Sequence, residues 1–386
     1  MRISLAVTIY VMALLMCFDS LVKVDVFGLY IQAGVFFSIL ILVLMGVDRR
    51  YKFRSKVITK DRTIIIFFLL IGASFPLAIN IDVYFKMVAY FIMFAAIYIY
   101  ISEVVVLIDV ESLSAMCLII LCMTGVVQYL LVSVFSVQME LRGITADHYY
   151  YIENRMRGFF LEPNWYGLIL FSWLFVYMRS LKRLSLMSIL LISMAIVCLF
   201  LSENRLIYLF SAILIFLFFC GSQLRKYRRV IPLLVLLLSG GLFIYLSVAG
   251  GLDGDRSAAA RFYTGYNVIS TMLSSSFQDQ VIGKGFSNWG WYSNDFEFSW
   301  SNYLFDQPLT RRDNSEIYVI FFEMGYLGVM LFIYDSWFLS GRENANTLDV
   351  VFLICMCISG MFYPIYQFLM YMVPMMIVRS RVVDER

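Results

Sequence analysis

The chain has 386 residues, of which 62% are hydrophobic and 15% are charged, and its formal net charge is +3. This composition excludes an ordinary soluble globular protein, and the chain lacks the basic stripes interleaved with aromatics that indicate a nucleic-acid partner. Its apolar runs are continuous and close to the length of about 20 residues that a helix needs to cross a lipid bilayer. We therefore predict an all-α, polytopic membrane protein that forms a single integral membrane domain over residues 1–386.

The apolar runs predict about twelve transmembrane helices. In chain order, the predicted spans are 3–18, 28–47, 63–80, 84–101, 113–135, 161–178, 184–201, 205–221, 230–249, 315–333, 348–362 and 365–378. Tyr363 and Pro364 divide the last apolar stretch, because proline disfavours helix at the residue before it. We interpret this point as a tight hairpin, and a single kinked helix is the alternative. The first run is interpreted as a retained helix, since no small-residue cleavage site follows Cys17.

Basic clusters predict the orientation, because Lys and Arg in short loops stay on the cytoplasmic side. Three segments carry such clusters: 48–62, 179–183 and 225–229. Twelve spans place all three on the inner side together with both termini. The same count places three polar segments outside: the loop 136–160, the turn at 202–205 and the large segment 250–313.

All seven cysteines fall within predicted spans, where we expect them to pack rather than to form disulfides or a metal pair. The outer segments also contain no D-x-D pair, no histidine cluster and no carboxylate spacing suited to Mg²⁺ or Mn²⁺. We therefore predict that the protein uses neither a metal nor a cofactor.

The first candidate site residue is Arg157, at the outer end of the sixth span in RMRGFFLEPNWYG. Glu162 and Asn164 follow in the same motif, and Pro163 predicts the start of a helix because proline is well tolerated in a first turn. The alternative for Arg157 is an interfacial anchor whose guanidinium extends to water. We retain Arg157 and Glu162 as candidate catalytic residues and Asn164 as a candidate substrate-binding residue.

Arg205 is the second candidate catalytic residue. The sequence LSENRLIYLF places Glu203, Asn204 and Arg205 in a short turn between two apolar spans on the outer side. A cation placed against the orientation bias requires an anionic partner. A buried ion pair between Glu203 and Arg205 that only closes the turn is the alternative.

The segment 250–313 supplies a third arginine group. The sequence DGDRSAAARFYTGYNVISTML has helical periodicity and predicts a helix with Arg256 and Arg261 at its beginning. Arginines near a helix start oppose the helix dipole, which suggests that a bound anion offsets their cost. The apolar face is expected to lie on the membrane or on the helical bundle; it contains Phe262, Tyr266, Ile269 and Leu273.

An aromatic stretch follows that helix. The sequence VIGKGFSNWGWY predicts a tight glycine turn, and nine aromatic residues follow within 20 residues. Aromatic faces suit the apolar faces of sugar rings, and asparagines such as Asn288 offer partners for sugar hydroxyls. An aromatic belt at the lipid headgroups is the alternative. The candidate substrate-binding residues here are Gly283, Gly285, Trp289, Trp291 and Trp300.

The polar segment ends in RRDNSEIYVIFFEMGYLGVMLF, where Asp313, Asn314 and Glu316 lead into the tenth span. The succession of RGFFLEPN, SENR between two spans, a long outer segment with GKG, and DNSEIYVIFFEMGYLG resembles the O-antigen polymerase and O-antigen ligase superfamily of bacterial envelope polysaccharide assembly. The resemblance covers roughly residues 155 to 335. The ligase branch usually has a histidine directly before the asparagine of the last motif. This chain has Asp313 there, which favours the polymerase branch.

The resemblance implies a helical bundle like that of the GT-C glycosyltransferases, in the bacterial inner membrane, with a periplasmic active site. It implies undecaprenyl-pyrophosphate-linked glycans as donor and acceptor, and O-antigen or a related surface polysaccharide as product. The lipid bilayer is a further partner, and a chain-length-regulating co-polymerase is a candidate. Ligation of the glycan to a glycolipid core remains an alternative, as does a lipid-linked oligosaccharide flippase.

The implied reaction is glycosyl transfer. Negative charge grows on the pyrophosphate as the anomeric C–O bond breaks, and planar arginine forks bind phosphate oxygens at two points. We hypothesise that Arg157, Arg205 and one of Arg256 or Arg261 converge there, under a lid formed by 250–313. The acceptor proton would pass to a carboxylate. Its candidates are Glu162, Asp313 and Glu316, with Asn314 as a substrate-binding neighbour; His148, in a polar loop, is typical of a surface position.

Overall fold

Helices dominate the structure of the chain. The computed structural model describes residues 2–18, 23–26, 29–32, 61–135, 155–160, 163–224, 256–292, 316–341, 346–359 and 369–383, together with residues 43, 230, 231 and 234. The predicted all-α class is confirmed for these residues, apart from one two-stranded antiparallel sheet.

Along the chain, a pair of short strands follows the first helix, and helices make up the other main elements of the described residues. They are α1 (Arg2–Cys17), β1 (Lys23–Val26), β2 (Leu29–Gln32), α2 (Arg62–Ala73), α3 (Ile81–Val104), α4 (Val110–Ser133), α5 (Pro163–Ser180), α6 (Leu186–Leu201), α7 (Arg205–Leu224), α8 (Arg256–Ser274), α9 (Phe277–Ile282), α10 (Trp289–Tyr292), α11 (Glu316–Gly341), α12 (Thr347–Ser359) and α13 (Leu369–Val383). Short 3-10 turns occupy Phe75–Leu77 and Val105–Leu107.

Two predicted spans differ from the structure. The prediction of a helix from residue 28 is wrong at its start, because β2 pairs antiparallel with β1 there. Both strands are rich in β-branched and aromatic residues, which favour a pleated conformation. The third span was predicted to run to residue 80, but α2 ends at Ala73 and a 3-10 turn containing Pro76 follows. Proline has no N–H to continue a helix, so the chain turns at this point.

Several predictions fall outside the described residues. The ninth span, 230–249, is one of them, apart from residues 230, 231 and 234. The predicted hairpin at Tyr363 and Pro364 is another, since α12 ends at Ser359 and α13 begins at Leu369. Most of the segment 136–160 and residues 250–255 and 293–313 also lie outside.

Two helices are long and apolar enough to cross a membrane: Ile81–Ser102 and Val110–Ser133. Six shorter apolar helices of 10–17 residues accompany them among the described residues: Val7–Cys17, Arg62–Ala73, Leu186–Leu201, Leu206–Phe216, Ile317–Leu331 and Thr347–Met356. The predicted count of twelve crossings stays a prediction.

The chain contacts divide into two compact units, each assembled from separate stretches. The first unit comprises Met1–Arg54, Ala96–Phe218 and Leu369–Ser380, and the second comprises Ser55–Ala95, Phe219–Phe368 and Arg381–Arg386. The prediction of a single membrane domain is neither supported nor opposed by this division.

The core of the first unit is a layer of three helices, α4, α5 and α6, with α1 against α4. Helix α5 is the most buried of them, because every residue from Trp165 to Tyr177 is shielded. A helix that is apolar on all sides is stable only where neighbours surround it. The five described cysteines, including Cys117 and Cys198, are buried in the helices, as predicted for packing residues.

The layer of α4, α5 and α6 has polar contacts at both of its ends, and the residues at the two ends come from different connecting segments. At one end, Lys182 lies 3.8 Å from Asp109, and its backbone N–H donates to Glu111 at 3.4 Å. At the other end, the N–H of Met156 donates to the carbonyl of Leu201 at 2.8 Å. The described parts of the two segments predicted as outer, 155–160 and 202–205, therefore share one end of the layer.

The second unit is organised around α11, which contacts α2, α8, α9, α10 and α12. Its buried cluster contains Val268, Met272, Trp289, Tyr318, Val319 and Phe322. The prediction of a helix after residue 255 is confirmed by α8. The apolar face predicted for it is exposed, since Tyr266, Ile269 and Leu273 are 60%, 45% and 60% accessible. These side chains do not pack on the bundle, and contact with lipid stays a prediction.

Candidate functional site

The turn that contains Arg157 is hydrogen-bonded to Gln128 of α4. The side-chain oxygen of Gln128 accepts hydrogen bonds from the backbone N–H groups of Arg157 at 2.8 Å and Gly158 at 3.2 Å. Two consecutive donors on one acceptor fix both the place and the direction of the turn. Arg157 and Gln128 are each only 1% exposed, so the guanidinium does not extend to water as an interfacial anchor would.

Gln128 also carries an unused donor. Among the described residues, its side-chain nitrogen Nε2 is buried and has no hydrogen-bond acceptor. A buried amide that is only half satisfied is uncommon in folded proteins. The glutamine is a polar residue inside the predicted span 113–135, and this was the sequence signal that could have identified it.

Arg155 joins the two motifs of the first unit that are predicted to lie on the outer side, and sequence analysis did not select it. Its Nη2 donates to the carbonyl oxygens of Ser202 at 2.8 Å and Glu203 at 3.2 Å, and to the side-chain oxygen of Asn164 at 3.2 Å. Its Nε donates to Ser202 O at 3.1 Å and lies 3.8 Å from the Glu203 carboxylate. The motifs RMRGFFLEPN and SENR therefore meet at this guanidinium.

The turn between α6 and α7 is fixed by its own side chains as well. Asn204 accepts the N–H of Ile207 at 3.3 Å, which caps the start of α7, and donates to the carbonyl of Asn164 at 3.2 Å. Glu203 adopts φ +52° and leaves its side chain 66% exposed. The described ion-pair partner of Glu203 is Arg155. Because the Arg205 side chain lies outside the described part of the structure, a Glu203–Arg205 pair stays an alternative.

The remaining predicted residues of the first unit have these positions. Pro163 is the first residue of α5, which confirms the predicted helix start, and Asn164 is half-buried beside Arg155. Arg205 is the first residue of α7, although its side chain is outside the described part of the structure. Glu162 lies outside the described residues altogether.

In the second unit, the predicted glycine turn packs against α11. Gly283 and Gly285 have φ +81° and +98°, and the N–H groups of Lys284 and Gly285 donate to the carbonyls of Phe322 and Glu323 at 2.8 and 3.1 Å. The predicted turn is thus confirmed. Its backbone is engaged by the helix, and binding of a substrate by these glycines stays a prediction.

The contact is made possible by a break in α11 at Gly325, where φ is 60° and ψ is −153°. This conformation is essentially restricted to glycine. A Cβ at Gly325 would lie 2.5 Å from the carbonyl oxygens of Gln280 and Val281, and a Cβ at Gly283 would overlap the backbone of Glu323. The GKG and EMG motifs, which the sequence separates by about 40 residues, therefore form one close backbone contact.

Asn288 and Glu323 hold the beginning of α10. The Asn288 amide donates to the carbonyls of Leu77 and Lys284 at 2.8 and 2.7 Å, and its oxygen accepts the N–H of Ile79 at 3.0 Å. Glu323, which is 1% exposed, accepts the N–H of Trp289 at 3.2 Å. The expectation that Asn288 is available to sugar hydroxyls is therefore wrong, because its side chain is used to fix the turn.

The predicted tryptophans have different surroundings. Trp289 is 2% exposed and packs edge-on against Phe322 in the core of the unit, with ring centroids 5.5 Å apart. Trp291, on the same short helix, is 44% exposed and remains accessible to a ligand or to lipid. Trp300, Asp313 and Asn314 lie outside the described residues.

The arginines of the second unit lie on α8, with Arg256 as its first residue and Arg261 within its second turn. Glu316 is likewise the first residue of α11. The side chains of all three lie outside the described part of the structure. The convergence of Arg157, Arg205 and one of these arginines remains a prediction.

One ion pair stabilises the glycine turn. Lys284 donates from Nζ to the Asp279 carboxylate at 2.6 Å, and the Asp279 N–H donates to Ser276 at the start of α9. The hydrogen bond from Lys284 holds the pKa of Asp279 below its usual value. No group of three or more His, Cys, Asp or Glu residues that could hold a metal ion is found within the described ranges.

Comparisons with protein-family models, with curated proteins and with solved structures give no match to this chain.

Proposed function

We propose that this chain is an integral membrane glycosyltransferase that joins undecaprenyl-pyrophosphate-linked oligosaccharide repeat units into O-antigen or a related bacterial surface polysaccharide. The reaction takes place at the periplasmic face of the inner membrane and requires no metal. The polymerase branch is preferred over the ligase branch because Asp313 stands where ligases usually have a histidine.

The observation that carries this proposal is the junction of RMRGFFLEPN with SENR at one end of the α4–α5–α6 layer. A buried arginine turn and a second arginine at a helix start lie on segments joined by the contacts of Arg155 and Asn204. The planar guanidinium of arginine binds phosphate oxygens at two points, and a helix N-terminus favours bound anions. Such an arrangement suits a ligand with several phosphate oxygens.

The proposed reaction proceeds by displacement at the anomeric carbon of the donor. The acceptor hydroxyl oxygen forms the new C–O bond, and the bond to the pyrophosphate oxygen breaks, so that its electron pair leaves with undecaprenyl pyrophosphate. The hydroxyl proton passes to a carboxylate, for which Glu162, Asp313 and Glu316 are the candidates. Arg157 and Arg205 stabilise the charge that develops on the leaving group.

The proposal is tested with Arg157→Ala and Arg205→Ala variants, purified in detergent and supplied with lipid-linked repeat units. Loss of one preorganised charge partner is expected to reduce kcat by about 10²–10³-fold. Arg183→Ala is the matched control, because Arg183 is exposed at the opposite end of the same helical layer. Polymer of wild-type length from the Arg157 and Arg205 variants would remove the central claim.

The same assay separates the alternative functions. Mass spectrometry of the product identifies the acceptor, so a glycan attached to a glycolipid core would indicate a ligase. Glycan elongation in detergent, where no bilayer separates two compartments, would exclude a flippase as the source of the activity. Absence of any elongation by the folded wild-type protein would overturn the proposed function.

A further inference from the structure

We propose that Arg155 is a positioning residue of this site. It holds the Ser202–Glu203 turn against the start of α5 and thereby fixes the first residue of α7, Arg205. Its importance for catalysis rests on the proposed function, whereas its effect on the turn can be measured without any reaction.

The guanidinium of Arg155 reaches three oxygens that belong to two separate segments. Nη2 lies within 3.2 Å of Ser202 O, Glu203 O and the Asn164 side-chain oxygen, while Nε also donates to Ser202 O. A planar fork can serve oxygens in different directions at once. The single ammonium group of lysine at the end of a flexible stem cannot reproduce this arrangement.

The two carbonyls that Arg155 binds directly follow the last residue of α6. The final carbonyls of a helix have no partner within the helix, and a cation near them also interacts favourably with the helix dipole. Ser202 is fully buried, so its carbonyl has no ready access to water. Arg155 therefore caps α6 from a distant part of the chain.

Asn204 connects the capped end of α6 to the start of α7. This residue is 2% exposed and binds both the carbonyl of Asn164 and the N–H of Ile207. The path from Arg155 to Arg205 thus consists of two adjoining turn residues and one helix cap. If the Ser202–Glu203 carbonyls lost their donor, the start of α7 would lose the attachment to the start of α5 that Arg155 provides.

The two arginines of RMR therefore have different functions. The Arg155 side chain is 21% exposed and bonds to protein oxygens, whereas Arg157 is 1% exposed on a turn held by Gln128. We assign the assembly of the turn to Arg155, whereas the contact of Arg157 with phosphate rests on the proposed function.

Hydrogen exchange tests the structural part of the inference. In detergent-purified protein, Arg155→Ala is expected to accelerate amide exchange in residues 202–207, with no change in α4. Arg155→Lys should give a smaller acceleration, and it keeps the test valid if the alanine variant does not fold. Glu203→Gln should leave the exchange unchanged, because its carboxylate is 3.8 Å away and exposed, and such pairs contribute little.

Kinetics test the catalytic part. A displacement of about 1 Å near a reacting centre can reduce turnover about 10²-fold, so Arg155→Ala should lower kcat to that extent with little change in KM for the donor. Added guanidinium ion at non-denaturing concentration should restore part of the kcat of Arg155→Ala. It should not restore Arg157→Ala, whose lost group contacts the substrate.

The outcomes separate the two claims. Unchanged exchange at 202–207 in Arg155→Ala would overturn the positioning role even if the protein polymerises glycans. A rise in KM without a fall in kcat would also overturn it, because direct substrate binding would then explain the defect. If the wild-type protein elongates no glycan while the exchange responds as expected, the proposed function fails and the positioning role stands.

Discussion

Gln128 supports the Arg157 turn through one oxygen atom. Both N–H groups that it accepts are in a buried turn, and neither could find water if the oxygen were removed. A buried donor without an acceptor costs about 1–3 kcal/mol. The stability of the site therefore depends on this side chain to an unusual degree.

Gln128→Leu is expected to reduce the free energy of unfolding of the first unit by about 2–6 kcal/mol, since two N–H groups lose their acceptor. Thermal unfolding in detergent measures this loss. Thr124→Val is the matched control, because the hydrogen bond described for the Thr124 hydroxyl goes to Leu121 of its own helix, at 3.0 Å. Equal melting temperatures for the two variants would contradict the role of Gln128 in holding the Arg157 turn.

The pair formed by Lys284 and Asp279 makes the glycine turn sensitive to acid. Because the folded-state pKa of Asp279 is lowered, its stabilising contribution is complete at neutral pH and disappears as the pH falls through that lowered value. Protection factors for amides 276–285 should therefore fall below about pH 4. Asp279→Asn should show the reduced protection already at neutral pH, without a further acid-dependent step. Asp109→Asn, in the other unit, should leave these amides unchanged.

At the residue scale, sequence analysis found the charged groups but not the residues that hold them. Arg157, Arg205 and Asn164 stood out because charge and amide groups beside apolar spans are costly. Arg155 and Gln128 act through bonds to backbone atoms of distant segments, and no spacing along the chain reveals such bonds. Asn288 was misinterpreted for the same reason, since its partners Leu77 and Ile79 are about 210 residues away.

At the scale of elements, the contact between the GKG turn and the broken α11 is the most constrained part of the second unit. Gly283 approaches the backbone of Glu323, and Gly325 approaches the backbone of Gln280 and Val281. Neither position has room for a side chain. The two glycines restrict each other through backbone atoms, which cannot move aside as a flexible side chain could.

Gly325→Ala is expected to destabilise the second unit by about 2–5 kcal/mol, which combines a left-handed backbone conformation with overpacking. Thermal unfolding or retention of the purified fold measures the effect. Gly72→Ala is the matched control, because Gly72 lies in α2 with nothing within 4 Å of the added Cβ. That variant should be neutral or more stable by about 0.5–1 kcal/mol. A tolerated Gly325→Ala would contradict the described contact.

Sequence periodicity predicted most of the described helices and missed the local exceptions. Pro163 indicated the beginning of α5 correctly, and the helical periodicity of DGDRSAAARFYTGYNVISTML indicated α8. The strand pair at Lys23–Gln32 was missed because a short apolar run has the same hydropathy in a strand as in a helix. The break at Gly325 was also missed, because one glycine within an apolar run does not by itself distinguish a break from a packed helix.

At the scale of the whole molecule, the first unit separates the segments predicted as inner and outer to opposite ends of α4, α5 and α6. Lys182 and Asp109 lie at one end, and Arg155 and Glu203 at the other. Hydropathy and charge bias could predict this alternation because it depends on helix length and loop charge alone. The packing between particular helices depends on side-chain shape, which a single sequence does not reveal.

Labelling of an introduced cysteine tests the predicted orientation. Glu203→Cys should react with a membrane-impermeant maleimide applied to intact spheroplasts, and Lys182→Cys should react only after permeabilisation. Both side chains are well exposed, at 66% and 78%, so access to the thiol itself is not limiting. The unmodified chain is the blank, because its five described cysteines are buried. Labelling of both positions from the same side would contradict the topology.

The interruption of α11 at Gly325 makes part of the segment 250–313 inseparable from the helix. The carbonyls of Phe322 and Glu323 are satisfied by N–H groups of Lys284 and Gly285. Where no water is present, as among lipid tails, each orphaned carbonyl costs several kcal/mol. A truncation that excised residues 276–292 would orphan both at once, so these residues must be retained if α11 is to keep its shape.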